Sequence, residues 1–402
     1  MFSINGNKAG RRPGEGAPYA HIVGWGMAVP EKVVTNRDLS EIVDTSDEWI
    51  VSRTGIRERR IAGPRDTTAS LAIRAARQAL GVANLKPREV QLIILATSSP
   101  EYIFPSTASI VQDALGATNA GAFDLSAACS GFIYALSLGA QMIRSGALET
   151  VLVIGSETLS RLVNWTDRET CILFGDGAGA FVLQAREQPG GVLSSILRSD
   201  GSGGDLLIIP AGGSKLPTTA DTVRDNLHTI AMNGREVYRF ATRVMVSAAK
   251  EVVASAGLTL DDLSLIIPHQ ANLRIIQAAA RGLGLPEERF MINLDRYGNT
   301  STASIPIAVC EAVSQGRIQP GDNMVLVGFG AGLTWGATML SWAAVTPPQV
   351  SRWERIRRQG LYAVARARSV ARRSWRHVEG LVWGSQESGE VRQAPVEVEQ
   401  KM

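Results

Sequence analysis

Apolar residues fall in short continuous runs separated by Ala-rich stretches of helical periodicity. The runs at 21–25 (HIVGW), 91–97 (QLIILAT), 150–155 (TVLVIG), 179–184 (GAFVLQ), 263–267 (LSLII) and 324–329 (MVLVGF) predict strands. Such uninterrupted runs suit strands buried on both faces, as in α/β proteins. Apolar positions recur at helical spacing over 67–80, 106–115, 130–146, 236–256, 271–282 and 303–316, which predicts helices. Start signals agree, with Thr67 and Thr68 before one helix and Pro105-Ser106 before another. The order looks duplicated. Strands 91–97 and 150–155 flank helix 130–146, as strands 263–267 and 324–329 flank helix 303–316. Two similar α/β halves related by a pseudo-twofold are the simplest expectation.

Composition makes this a soluble globular chain. It has 402 residues, 45% hydrophobic and 20% charged, enough for a large core and for two or three domains. A disordered or fibrous chain is excluded. The 40 Gly against 17 Pro point to tight turns and close backbone approaches. The net charge of +3 is unevenly spread. Residues 1–18 are Gly-rich, basic and unpatterned, and are expected to be a disordered extension. Residues 352–376 carry nine Arg against Glu354 alone, while 377–402 carry five Glu against Arg392 and Lys401. The body between is mildly acidic, and Pro347-Pro348 marks its joint with a basic extension over 346–402.

On a helical wheel that extension sorts into two faces. Trp353, Ile356, Val364, Ala367, Ala371, Trp375, Val378 and Val382 share one side. Arg352, Arg355, Arg358, Arg366, Arg372, Arg373 and Arg376 gather opposite, with Arg357 and Arg368 beside the apolar stripe. A basic amphipathic helix of this kind suits an anionic membrane surface or a partner protein, or packs on its own enzyme. Gly360 weakens it as one continuous helix.

Cysteine usage points to a reducing compartment. Cys129, Cys171 and Cys310 are scattered, with no CxxC pair and no zinc spacing. Residues 1–20 lack the apolar core of a signal peptide, and no apolar run reaches 18 residues. A cytoplasmic location is the expectation.

Cys129 stands in DLSAACSGF, directly before a helical pattern. A thiol at a helix N-terminus meets free N–H groups and the positive end of the macrodipole, which favour thiolate. Cys171 and Cys310 read as packing residues. His269 follows a strand and Pro268, and polar Gln270 and Asn272 interrupt the apolar stretch after it. Strand ends are where α/β folds place reacting groups. Asn299 lies in a turn-rich segment, NLDRYGNTSTASIP. Together Cys129, His269 and Asn299 supply a nucleophile and two groups able to hydrogen-bond a carbonyl oxygen. Acyl transfer through a thioester and a Cys-His-Asn protease both fit this set.

Longer motifs separate the two readings. VDTSDEWIVSRTGIRERRIA, DLSAACSGF, FGDGAGA, IPHQANLRII, YGNTSTASIP and GFGAGLTWG lie between residues 43 and 336, in a resemblance that runs over about 19–344. With them the chain resembles β-ketoacyl-[acyl carrier protein] synthase III, a thiolase-fold condensing enzyme that initiates fatty acid synthesis. A papain-like protease would instead carry its Cys near the mature N-terminus.

The resemblance implies a five-layer α-β-α-β-α sandwich of two halves, 19–190 and 191–345, forming a homodimer through the first. It implies that Cys129 is acylated by an acyl-coenzyme A, acetyl-CoA being the first choice. His269 and Asn299 would bind the thioester carbonyl of malonyl-[acyl carrier protein] and stabilise the enolate left by loss of CO2. Phe329 would desolvate the malonyl carboxylate, and the backbone N–H groups of Cys129 and Ala331 would hold the later oxyanion. Ala331 stands where the family often has Gly.

Coenzyme A would be held by Trp49 and Arg168 around the adenine, by Arg53 and Arg274, and along Gly234. The small residues of FGDGAGA would serve close packing. Gln270, Arg274 and Arg281 would dock the carrier protein. Phe104 would reach the partner subunit's acyl pocket and favour short chains. No metal, cofactor or nucleic acid is implied beyond the CoA thioester substrate. Two alternatives fit the same residues: a synthase III-like condensing enzyme or acyltransferase of a secondary-metabolite or lipid pathway, and a non-catalytic carrier-protein or membrane-binding scaffold.

Overall fold

In the computed structural model, residues 18–342 and 360–375 are described, apart from Arg366 and Arg373. The chain divides near residue 350 into a body and a C-terminal unit.

The apolar runs of the body build two mixed sheets. The first has five strands in the order Tyr19–Ala28, Gly177–Arg186, Thr150–Glu157, Leu92–Ala96, Gly121–Leu125. The second orders Leu265–Pro268, Asn323–Gly330, Thr334–Ser341, Gly191–Ser199. In the first sheet Leu92–Ala96 runs parallel to both its neighbours and the remaining pairings are antiparallel; in the second only Leu265–Pro268 and Asn323–Gly330 are parallel. The first sheet draws only on residues 19–186 and the second only on 191–341.

Helices form three layers around these sheets. Thr68–Val82 and Thr107–Leu115 cover the outer face of the first sheet, and Gly234–Ser255 covers the second, backed by Leu273–Leu283. Gly131–Arg144 packs on both sheets between them, beside Ser304–Ser314. The sequence is thus the thiolase-type α-β-α-β-α sandwich. Its central core joins Val151, Val153, Phe181 and Leu183 of one sheet to Leu265, Ile267, Met324 and Leu326 of the other, through Phe132, Ile133, Leu136, Ile305 and Val309. Fully burying each such side chain contributes about 1.5–3 kcal/mol.

Local signals explain where these helices start and stop. Thr67 Oγ1 accepts from Ser70 N–H and Ser70 Oγ accepts from Thr67 N–H, a capping box. Ser106 caps Thr107–Leu115, which ends at Gly116 in the left-handed region at φ 75°.

The glycines of FGDGAGA let two elements touch. A Cβ at Gly179 would lie 2.5 Å from the Pro306 ring, and one at Gly175 only 2.2 Å from Tyr297 O. This segment therefore packs closely against 297–307.

All six predicted strands and all six predicted helices are present, with ends moved by a few residues. The strands Gly121–Leu125, Gly191–Ser199 and Thr334–Ser341 were not anticipated. Their burial is mixed and their sequences hold Gly, Ser, Thr and Asp, so no continuous apolar run announces them.

Residues 360–375 are helical where described. Leu361, Val364 and Trp375 are exposed, Val364 by 67%. The other apolar positions Trp353, Ile356, Val378 and Val382 lie outside the described residues, as do Arg352, Arg355, Arg357, Arg358, Arg366, Arg373 and Arg376. The extension 1–17 lies outside them too. Among the described residues no helix is long and apolar enough to cross a membrane.

Candidate active site

The topology brings the two halves' chemistry to one place. Cys129 lies in the short turn Ala128–Ser130 that follows strand Gly121–Leu125 and leads into helix Gly131–Arg144. His269 directly follows strand Leu265–Pro268, and Asn299 precedes the turn that opens helix Ser304–Ser314. All three, with Phe329 and Gly330, line a cavity of about 1030 Å³. The approach is close: a Cβ on Gly330 would sit 2.6 Å from Cys129 N, so glycine is required there.

His269 is buried at 1% exposure, and desolvation lowers its pKa to about 3. The imidazole is neutral. Its Nδ1 lies 2.7 Å from Ser304 Oγ, which also accepts the Gln270 N–H at 3.3 Å. A backbone N–H can only donate. If Ser304 accepted from Nδ1 as well, its own buried hydroxyl hydrogen would lose its partner. Ser304 therefore donates to Nδ1, and the ring proton sits on Nε2 as a donor. Phe329 packs edge-on against the ring at 5.3 Å between centroids.

Asn299 is fixed in the same manner. Its Oδ1 accepts Ser301 N–H at 2.8 Å, which leaves the Nδ2 hydrogens as the free donors of the amide. Its backbone is tied to Leu173 O and Gly175 N. The site thus joins two neutral donors to an apolar phenyl face.

Cys129 departs from the expected thiolate. It precedes the regular helix, is only 8% exposed, and burial pushes its thiol up to about 12. The nearby Glu157 charge adds to this, while Ser301 and the Cys129 N–H oppose it. Desolvation outweighs the helix terminus, so the resting group is a thiol. Cys171 and Cys310 are also buried, but neither lines this cavity.

A second cavity of about 400 Å³ also opens on Cys129. Leu159, Phe174, Leu207, Ile209 and Ile230 supply its apolar wall, with Ala331 and Thr334 beside them. Of this wall the sequence reading named only Ala331. Phe104 lines neither cavity of its own chain; it is 85% exposed beside Tyr102 and Ile103.

The outer part of the larger cavity holds Trp49, Arg53, Gly234 and Arg274. Ser46 caps the helix Asp47–Thr54, which presents Trp49 and Arg53 together. The Arg53 and Arg168 guanidinium carbons lie 4.6 and 5.2 Å from the Trp49 ring centroid. Arg168 also donates to Asp44 O and Oδ2. Gly234 opens the helix Gly234–Ser255, and a Cβ there would meet only Met232 Cε at 3.7 Å. Arg274 and Arg281 are exposed on helix Leu273–Leu283.

Gln270 corrects the sequence reading. It is 1% exposed; its Nε2 donates to Pro268 O and Met291 O, and its Oε1 accepts Asn293 N–H. With its amide fully engaged inside the protein, Gln270 braces the strand end and cannot dock a carrier protein. Among the described residues no three of His, Cys, Asp and Glu group as metal ligands.

Comparison with known proteins gives one family. Residues 123–201 match 3-oxoacyl-[acyl-carrier-protein] synthase III, and residues 253–342 match its C-terminal domain. Beta-ketoacyl-[acyl-carrier-protein] synthase III of Symbiobacterium thermophilum is 55% identical over 321 residues, 80% of this chain and 97% of that protein. The same enzyme of Caldanaerobacter subterraneus is 54% identical over 324 residues, 81% and 98% of the two chains. The crystal structure of 3-oxoacyl-[acyl-carrier-protein] synthase III from Aquifex aeolicus matches with TM-score 0.75 and 48% identity, covering 80% of this chain and all of that one. With identities of this size across nearly the whole of its relatives, the chain belongs to the 3-oxoacyl-[acyl-carrier-protein] synthase III family.

Proposed function

We propose that the protein condenses a short acyl-CoA with malonyl-[acyl carrier protein], giving 3-oxoacyl-[acyl carrier protein], CO2 and CoA, and so initiates fatty acid synthesis as an acyltransferase. One observation carries this reading: Cys129, His269, Asn299 and Phe329 face a single cavity whose outer part holds Trp49 and cationic side chains. The first half of the body supplies the nucleophile and the second the two donors.

In the first stage the Cys129 sulfur attacks the acyl-CoA carbonyl. The carbon–sulfur bond to CoA breaks, and CoA leaves with the thiol proton. Trp49 and Arg168 stack on the adenine, while Arg53, Arg274 and the open wall at Gly234 guide the phosphates and pantetheine. In the second stage the malonyl thioester oxygen accepts from His269 Nε2–H and an Asn299 Nδ2 hydrogen. The malonyl C–CO2 bond breaks, and its electron pair becomes an enolate held by these donors. Phe329 supplies the apolar face that favours loss of the carboxylate. The enolate carbon then attacks acyl-Cys129; the N–H groups of Cys129 and Ala331 hold the tetrahedral oxyanion, whose collapse returns the sulfur.

The apolar cavity of about 400 Å³ receives the acyl group, with acetyl as first choice. In a homodimer the exposed Phe104 of a second copy closes it and disfavours long chains. Arg274 and Arg281 dock the acidic carrier protein. The cytoplasm is the assigned compartment, and no cofactor beyond the CoA thioester is assigned.

Similarity to the priming β-ketosynthase of the R1128 polyketide pathway, at 36% identity and TM-score 0.77, supports a second reading in secondary metabolism with the same chemistry. Incubation with a panel of acyl-CoA thioesters and malonyl-carrier protein tests both. Release of CO2 with β-ketoacyl product from acetyl-CoA supports the first. Preference for other starters supports the second, acyl transfer without CO2 an acyltransferase, and no turnover a scaffold.

A further inference from the structure

Glu157 takes no part in the steps above, yet it lies beside them. It ends strand Thr150–Glu157 and is wholly inaccessible to solvent. Its Oε1 accepts from Ser98 N at 3.0 Å, Ser301 Oγ at 2.9 Å and Thr302 Oγ1 at 3.1 Å. Its Oε2 accepts from Thr97 Oγ1 at 3.2 Å and Ser99 Oγ at 2.6 Å. Burial raises its pKa, against these hydrogen bonds. A buried carboxylate with so many donors ties the 97–99 turn of the first half to the 301–302 turn of the second.

Ser301 is the link from this carboxylate to the reaction. Its hydroxyl is held by Glu157, and its N–H donates to Asn299 Oδ1 at 2.8 Å. Its backbone stands at φ +48°, in the left-handed region that a non-glycine residue occupies only when its surroundings hold it there. The amide of Asn299 could otherwise turn and offer its oxygen to an enolate, a repulsive contact.

We propose that Glu157 and Ser301 form a positioning pair: Glu157 holds Ser301 in its left-handed turn, and the Ser301 N–H then keeps Asn299 Nδ2 toward the substrate oxygen. This rests on the assignment of Asn299 as an enolate donor. Neither residue contacts the malonyl group; they act on decarboxylation through Asn299, apart from their separate and opposite effects on the Cys129 thiol.

Full-length Glu157→Gln, Asn299→Ala and the double variant test it, each assayed for CO2 release from malonyl-carrier protein and for acetylation of Cys129 by acetyl-CoA. Glu157→Gln should lower kcat for CO2 release roughly tenfold with KM changed less than about threefold, whereas Cys129 acetylation should not fall, because losing the Glu157 charge favours the thiolate. Added to Asn299→Ala it should cost nothing more, because the group it positions is gone. Ser301→Ala, with and without Asn299→Ala, should show the same loss of CO2 release, absent when Asn299 is already gone, and serves if Glu157→Gln fails to fold. Additive losses beside a normal Asn299→Ala effect, or equal losses in both assays, would overturn the pair alone. Unchanged CO2 release by Asn299→Ala would overturn the enolate assignment and the pair with it.

Discussion

Ser304 Oγ lies 2.7 Å from His269 Nδ1 and accepts the Gln270 N–H at 3.3 Å, and Nδ1 is the acceptor that satisfies its buried hydroxyl hydrogen. The contact places the imidazole proton on Nε2. It makes a helix-opening serine the determinant of whether the histidine donates or accepts. Gln270, itself locked by Pro268, Met291 and Asn293, fixes the backbone N–H that sets Ser304.

Ser304→Ala removes that constraint. The buried ring keeps its neutral form but loses the bond that holds one tautomer. CO2 release from malonyl-carrier protein should fall by roughly tenfold, below the 100- to 1000-fold typical when an oxyanion donor is lost outright. Single-turnover CO2 release measures it, and an unchanged rate would remove Ser304 from tautomer control.

His269→Ala and Asn299→Ala delete the donors themselves. Each should cost about 2.7–4 kcal/mol in the decarboxylation barrier. Acetylation of Cys129 should stay largely intact, since its carbonyl uses other donors. Mass spectrometry of the acyl-enzyme beside CO2 assays separates the stages. Equal loss in both would assign His269 a general-base role instead.

Acetylation should itself depend on pH in a definite way. With the Cys129 thiol pushed up to about 12, the thiolate fraction rises about tenfold per pH unit throughout the neutral range. The single-turnover acetylation rate should climb with pH from 6 to 9 and show no plateau near 7. The label should map to Cys129 and not move to Cys171 or Cys310 in Cys129→Ser. A plateau near neutrality would mean that the helix terminus wins over burial.

Much of this arrangement could be read from residue pattern, because burial on both faces produces uninterrupted apolar runs. Leu92–Ala96, Thr150–Glu157 and Asn323–Gly330 stood out for that reason. The strand Thr334–Ser341 did not, since its Gly and Thr residues pack through small volume. Cys129, His269 and Asn299 were legible as reactive types in sharp motifs. Their supports were not: Ser301, Ser304 and Glu157 act through contacts 144 or 35 residues apart in sequence. A glutamate closing the largely apolar run of TVLVIGSE, a strand buried throughout, was the available signal. Gln270 misled because a polar residue in an apolar stretch reads alike whether it faces a ligand or satisfies buried backbone groups.

Stability should also follow the histidine. Its folded pKa of about 3 lies below the unfolded 6.5, so below pH 6.5 the unfolded chain binds a proton the folded chain refuses. The contribution is fully present above pH 6.5 and is lost as pH falls toward 3. Each unit in that window should cost about 1.4 kcal/mol from this residue. In denaturant titrations His269→Gln should flatten the acid slope by about one proton. An unaltered slope would place the proton uptake elsewhere.

The C-terminal segment calls for a separate experiment, since the relatives from Symbiobacterium and Caldanaerobacter are matched over 97% and 98% of their length by about four fifths of this chain. A condensing enzyme can therefore be complete without it. In the segment, exposed Leu361, Val364 and Trp375 accompany an excess of arginine, the combination that binds apolar faces into an anionic lipid surface. Full-length protein should co-sediment with phosphatidylglycerol-containing vesicles at low salt, and less as salt screens the arginines. Truncation after Thr346 should abolish sedimentation while condensation persists. Binding to neutral vesicles alike would leave the apolar face without the arginines as its cause. Equal sedimentation of the truncated and full-length proteins would locate any lipid contact on the body instead.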